Sequence, residues 1–97
     1  MPIVLRHRHT GEIACGKLRN MYHFDYYGAL WWENEETAEE QMQQGLQDAG
    51  YEDVRDWDRL EVKEERLKIF NVKLNNDGQR RLILDRDGLI FVLKDKD

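Results

Sequence analysis

The sequence predicts an α+β fold in which one amphipathic helix packs on a mostly antiparallel sheet of about five to six strands. Three observations support this prediction. One central segment has apolar residues at helical spacing, the segments on both sides have alternating or continuous apolar runs, and Asn-, Asp- and Gly-rich turns separate the C-terminal runs. At 97 residues, the chain is expected to form a single domain that spans residues 1–97.

The N-terminal segment, residues 1–19, predicts a β-hairpin that turns at Thr10-Gly11. A two-residue loop would pair His9 with Glu12, whereas a three-residue loop would pair Arg8 with Glu12. We favour the three-residue loop because it places four apolar side chains on one face, and a slip by one residue would turn them away. These four side chains are Ile3, Leu5, Ile13 and Cys15.

An aromatic cluster follows, because residues 22–32 hold six of the ten aromatic residues in the chain. The cluster consists of Tyr22, Phe24, Tyr26, Tyr27, Trp31 and Trp32. Its first half alternates aromatic and polar residues, which predicts a strand, and Gly28 permits a bend before an extended run over 29–32. Neighbouring side chains of a strand point to opposite faces, so Trp31 and Trp32 are expected to face opposite ways.

The segment after the aromatic cluster predicts the only helix. Asn34 or Thr37 can cap its N-terminus, Thr37 and Glu40 have the spacing of a capping box, and Gly50 can end it. Its apolar stripe consists of Ala38, Met42, Leu46 and Ala49.

The C-terminal half predicts further strands. Residues 51–66 have a weak pattern that indicates a loop leading into a strand near 59–62, and residues 67–74, 80–84 and 89–93 predict three strands separated by turns. The last two strands are apolar on both faces. Because one helix covers one face of such a sheet, the other face is expected to meet a second layer or a partner.

Charge is segregated along the chain, whose net charge is −5. Residues 31–66 carry thirteen acids and four bases, whereas the segments before and after each have a net charge of +2. This distribution favours a basic partner and opposes nucleic acid on the acidic face. No run approaches the roughly 18 apolar residues of a membrane span, and a lone Cys15 is typical of a reducing compartment. We therefore expect a cytoplasmic protein without membrane contact.

The residues assign no catalytic group and no cofactor. The chain contains no serine, which excludes a Ser–His–Asp site, and Cys15 is predicted to face the interior as an inert thiol. His7 and His9 share one face of a strand and are weak candidates for zinc or copper ligands, with His23 as a third. A solvated histidine pair is the preferred interpretation, so no metal site is assigned.

The leading hypothesis is a non-enzymatic interaction or regulatory domain that presents an acidic helix and an aromatic patch to a protein partner. In it, Trp31 or Trp32 supplies the buried contact, and four glutamates of the helix steer a basic partner. These glutamates are Glu35, Glu36, Glu39 and Glu40.

Three alternatives stay open. The apolar C-terminal strands could assemble a homo-oligomer, and a ligand or enzyme pocket could form from the cluster of Tyr22, His23, Tyr26 and Trp31. Aromatics interleaved with arginines could instead bind single-stranded nucleic acid on a sheet. The residues for that interpretation are Tyr22 and Tyr26 with Arg6, Arg8, Arg80 and Arg81.

Overall fold

The computed structural model describes residues 1–94, which form seven strands and two helices. The strands are β1 (Ile3–His7), β2 (Glu12–Ile13), β3 (Cys15–Arg19), β4 (Asp25–Ala29), β5 (Trp57–Glu61), β6 (Arg80–Leu84) and β7 (Ile90–Lys94). The helices are α1 (Glu35–Asp48) and α2 (Glu64–Leu74). Five strands form an antiparallel sheet in the order β5-β1-β2-β6-β7, and β3 and β4 form a separate two-stranded ribbon. The predicted α+β class is confirmed.

The two helices cover opposite faces of the sheet. Val4 packs in a cluster with Phe70 and Leu74 of α2, whereas its neighbour Leu5 packs in a second cluster with Leu46 of α1. Consecutive residues of a strand point to opposite faces, so these two clusters lie on either side of the sheet. The expected second layer is therefore α2, which covers β1 and β6 on this face.

The prediction that residues 67–74 form a strand was wrong, because this segment belongs to α2. Leu67, Phe70 and Leu74 recur at helical spacing and pack against the sheet. Two glutamates, Glu64 and Glu65, occupy the first turn, where the helix dipole favours negative charge. The expected turn after this segment begins as the C-terminal cap of α2, with Asn75 in the left-handed conformation at φ 51°.

The predicted hairpin register was also wrong, by one residue. Arg6 pairs with Ile13, and a four-residue turn over 8–11 connects β1 to β2. Ile13 therefore shares a face with Val4 instead of Leu5. Both faces of β1 are covered, so the slip exposes no apolar side chain and the hydrophobic pattern alone does not fix the register.

Turn geometry fixes that register instead. Gly11 has a φ of 79°, and a Cβ at this position would approach the Leu84 carbonyl oxygen to 2.7 Å. The N–H of Gly11 donates to the carbonyl of His7, and that of Leu84 donates to the carbonyl of Gly11. A glycine at this position therefore lets the turn of one hairpin dock on β6.

The aromatic cluster is not one strand from its start. Tyr22 and Phe24 lie in the loop that joins β3 to β4, where the Asn20 side-chain oxygen accepts hydrogen bonds from both backbone N–H groups (2.9 and 3.1 Å). His23 has a φ of 65° in the same loop. The Asn20 side chain therefore accepts hydrogen bonds from backbone N–H groups that would otherwise pair with a neighbouring strand. Such local hydrogen bonds compete with strand pairing.

The remaining elements lie close to their predicted places. Asn34 caps α1, since its side-chain oxygen accepts from the Thr37 N–H at 2.8 Å. Ala38 and Leu46 of the predicted stripe are buried, and Leu46 packs in a core cluster with Leu5 of β1. β5 starts two residues before its predicted position, β6 spans the predicted residues 80–84, and β7 starts one residue late. Within residues 1–94, neither helix is both long and apolar enough to cross a bilayer.

Candidate functional site

A groove of about 470 Å³ lies between the N-terminus, β4 and α2; we call it the Trp31 groove. Its apolar and aromatic lining residues are Met1, Pro2, Tyr26, Trp31 and Leu67, and its polar ones are Glu33, Glu64, Lys68 and Asn71. Trp31 is 39% exposed and Met1 is 63% exposed. Large apolar side chains therefore meet solvent beside two carboxylates.

The orientation of Trp31 follows from the backbone beside it. Trp32 pairs with Ile3 in an antiparallel bridge, with N–H···O distances of 2.7 and 3.0 Å. The indole of Trp32 then faces α1, where its Nε1–H donates to Gln41 at 3.0 Å and its ring lies against Gly45. Because adjacent side chains alternate, Trp31 is directed away from Trp32, and its side chain lines the groove as well as the rim of a cleft beside α1.

The predicted acidic residues lie on α1, outside the Trp31 groove. Glu35, Glu36, Glu39 and Glu40 are all exposed. Glu35 forms an ion pair with Arg59, and this hydrogen bond raises the pKa of the Arg59 guanidinium. The carboxylates that line the groove are instead Glu33 and Glu64.

Sequence reasoning missed most of the groove because its lining comes from three distant segments. Glu33 directly follows the tryptophan pair, so its place beside Trp31 could have been predicted from the sequence. Glu64 and Leu67 belong to α2, which the sequence pattern presented as a loop and a strand. Met1 carried no signal of its own.

The predicted aromatic pocket divides between two places. Tyr26 and Trp31 line the groove, whereas Tyr22 and His23 lie in the loop at the tip of the β3–β4 ribbon. That tip is strongly apolar, since Met21 is 81% exposed and Tyr22 is 73% exposed. Phe24 beside them is also exposed.

The four predicted arginines are all engaged within the chain. Arg6 donates to the Leu84 carbonyl at 2.8 Å, and Arg80 donates to the Lys73 carbonyl at 2.9 Å. Arg8 donates to Asp58 at 2.9 Å, which raises the pKa of its guanidinium. Arg81 lies 3.6 Å from a carboxylate oxygen of Glu12. Their partners are spread over separate parts of the fold.

The histidine pair lies beside two carboxylates that could be considered metal ligands. Ligand atoms of His7, Asp53 and Asp56 lie within 4.8 Å of one another, and His9 Nε2 is 3.8 Å from an oxygen of Asp56. His23 lies elsewhere, in the ribbon-tip loop. Whether these side chains can bind a metal depends on which nitrogen atom of His7 carries the ring proton.

The hydrogen bonds of His7 assign a tautomer that does not suit coordination. Its Nδ1 accepts from the backbone N–H groups of His9 (3.1 Å) and Thr10 (3.3 Å), so the ring proton lies on Nε2. Nε2 then donates to Asp53 at 2.7 Å, which holds the pKa of that carboxyl below its usual value. A metal would bind the lone pair of Nε2, so the ring proton would have to move to Nδ1. There it would face the two backbone N–H donors. We interpret this hydrogen-bonded group as structural, because it connects the turn over 8–11 to the loop before β5.

A cleft of about 630 Å³ beside the C-terminal end of α1 contains the only cysteine. The Cys15 thiol donates to the Ile13 carbonyl at 3.2 Å, and burial raises its pKa to about 12. The Cys15 backbone N–H donates to the Tyr51 hydroxyl at 2.9 Å, and burial also raises the pKa of that tyrosine. At neutral pH these groups are protonated, so Cys15 lacks the thiolate that a nucleophile requires.

We compared the chain with protein-family models, curated protein sequences and solved structures, and none of them matches it. The chemistry of the Trp31 groove therefore provides the basis for assigning a function.

Proposed function

We propose that this protein is a non-enzymatic interaction domain that binds a basic side chain of a protein partner in the Trp31 groove. The observation that carries the proposal is the partly exposed indole of Trp31 in a groove lined also by Glu33 and Glu64. The proposal places the domain in a reducing compartment such as the cytoplasm, because Cys15 is a free thiol.

The groove offers two attractions to a cationic side chain. An ammonium or guanidinium group over an aromatic face gains about 0.5–2 kcal/mol, with tryptophan the best such ring. Carboxylates nearby add a charge-assisted hydrogen bond, for which the planar guanidinium of arginine is the better fit. Lys68 also lines the groove, so a partner that places an acidic residue beside its basic one would gain a further contact.

Apolar contact supplies the rest of the expected affinity. Trp31 and Met1 are exposed and Leu67 is half-buried, so a partner side chain that covers them removes apolar surface from water. Tryptophan is one of the residue types that are enriched at energetic hot spots of interfaces. The glutamates of α1 lie outside this contact and would act on the rate of encounter, by attracting a basic partner over distance.

A peptide-display selection on the folded domain tests the proposal. We expect the enriched peptides to share an arginine or lysine next to an apolar residue. In calorimetric titrations of one selected peptide, Trp31→Ala should weaken binding by about tenfold or more, as loss of a central aromatic contact does. The double variant with Glu33→Gln and Glu64→Gln should also weaken binding of this peptide relative to the wild type. Its affinity should depend less on the salt concentration.

Phe24→Ala is the matched control, because Phe24 is an exposed aromatic residue at the ribbon tip, outside the groove lining. It should leave the affinity for the selected peptide unchanged. The proposal would be rejected if the enriched peptides lacked a basic residue, or if Trp31→Ala and Phe24→Ala had equal effects.

A further inference from the structure

Strand β7 forms one edge of the five-stranded sheet and carries exposed apolar side chains on both faces. Leu89 before it is 58% exposed, and Phe91, Val92 and Leu93 within it are 49%, 40% and 53% exposed. The main contacts of α1 are with β1 and β5, and those of α2 are with β4 and β6. The edge strand thus receives little cover from either helix.

The register of β6 and β7 shows which backbone groups of this edge face outward. The Asp85 N–H donates to the Leu89 carbonyl at 3.0 Å, and Ile83 lies opposite Phe91. In an antiparallel pair these groups alternate along the strand, so Leu89, Phe91 and Leu93 direct their backbone groups at β6. Ile90 and Val92 therefore direct theirs away from the sheet.

The opposite edge of the sheet has a different chemistry. β5 presents Asp58, Arg59 and Glu61, all exposed and charged. Charged side chains are a usual protection of an edge strand against pairing with another chain. Residues 89–93 of the β7 edge are all apolar.

We propose that β7 pairs antiparallel with β7 of a second copy of this chain, about a two-fold axis that passes through Phe91. The apolar run 89–93 is centred on Phe91, so this register places Leu89 opposite Leu93 of the other copy and Ile90 opposite its Val92. It joins the outward-facing backbone groups of Ile90 and Val92 into hydrogen-bonded pairs. Every apolar residue of the run gains an apolar partner.

The matching of apolar side chains supports this register over the neighbouring symmetric one. With Phe91 on the axis, Lys94, whose ammonium group lies 3.3 Å from Asp77 of its own chain, lies opposite Gly88 of the other copy and outside the apolar run. With Val92 on the axis, Lys94 would lie opposite Ile90 instead. The inference is independent of the Trp31 groove, which lies on other elements.

Sedimentation equilibrium of the full chain is the first test. We expect a monomer–dimer equilibrium, with Val92→Lys raising the dimer dissociation constant by about tenfold or more, since a charge is placed in the pairing edge. Val72→Lys is the matched control, because Val72 is a more exposed valine on α2, and it should leave the constant unchanged. A wild-type chain that stays monomeric at millimolar concentration would overturn the proposal.

Cysteine cross-linking tests the register without relying on the stability of a charged variant. Phe91 and its symmetry mate form a pair without backbone hydrogen bonds, with Cα atoms about 4.5 Å apart, which suits a disulfide. Under mild oxidation, Phe91→Cys should form a covalent dimer rapidly. Leu89→Cys is the control, because it lies opposite Leu93 of the other copy and far from its own mate. Equal cross-linking of the two variants would show random collision and refute the register.

Discussion

At the scale of single residues, burial decides what the ionisable side chains of this protein can do. Cys15 is buried in the core cluster that contains Phe70 and Leu74, and its thiol donates to a backbone carbonyl. His7 is buried and has both ring nitrogens occupied by hydrogen bonds. At an exposed site, a cysteine and a histidine would suggest a nucleophile and a metal ligand. Burial and hydrogen bonding make both side chains structural in this protein.

The raised pKa of Cys15 predicts slow alkylation of the folded protein. At pH 8, a thiol with a pKa of about 12 has about 10³-fold less thiolate than a free cysteine, and the thiolate is the reacting form. Iodoacetamide labelling followed by mass spectrometry measures the rate. The same chain in denaturant should react at the rate of a free thiol, and equal rates in both states would contradict the burial argument.

At the scale of elements, the sequence predicted a helix or a strand correctly where its apolar residues fit only one of the two periods. α1 has a cap, an acidic first turn and one apolar stripe, and β6 has a short apolar run between turns, so both could be predicted. The segment of α2 carries apolar residues at positions that suit either period, and its true partner is a sheet face formed by distant strands. The hairpin register failed for a similar reason, because both faces of β1 are buried.

The cap of α1 gives a prediction that separates the two candidate capping residues. Asn34→Ala should lower the free energy of unfolding by about 1 kcal/mol, because the Thr37 N–H then loses its side-chain acceptor. Thr37→Ala should change it by less than about 0.5 kcal/mol, since the cap itself is retained. Urea denaturation of both variants measures the difference, and a larger loss for Thr37→Ala would contradict the assignment of the cap.

At the scale of the whole molecule, polar contacts join segments that are far apart in sequence. The Arg8–Asp58 pair links the first turn to β5, and the His7–Asp53 hydrogen bond links β1 to the loop before β5. Asp77 caps the turn before β6 and lies 3.3 Å from Lys94 of β7. The Trp31 groove is likewise built from the N-terminus, β4 and α2, so the local aromatic pattern predicts Tyr26 and Trp31 but not the residues of α2 and the N-terminus that complete the lining.

These carboxylates predict how stability depends on pH. Hydrogen bonds lower the pKa values of Asp53, Asp58 and Asp77 in the folded chain, with His7, Arg8 and the Gln79 N–H as the main donors. A carboxyl whose folded pKa is lowered contributes stability above its unfolded pKa of about 3.9 and loses it as the pH falls through the folded pKa. The free energy of unfolding should therefore decline below about pH 4.

Urea denaturation at pH 6 and pH 3 measures this effect. The difference in unfolding free energy between the two pH values should be smaller in Asp58→Asn than in the wild type, because a titrating group with a shifted pKa has been removed. Glu52→Gln, which removes an exposed loop carboxylate, controls for the change in net charge. An equal decline in Asp58→Asn and Glu52→Gln would refute the role of the Arg8–Asp58 contact.

The two unlike edges of the sheet also limit how far the chain can assemble. Pairing through β7 uses the apolar edge of each copy and leaves both outer strands as β5, with Asp58 and Glu61 exposed. A third copy would then meet a charged strand at either end. In the proposed dimer, assembly would stop at two copies, because the contact between them covers the surface that a fibre would need to lengthen.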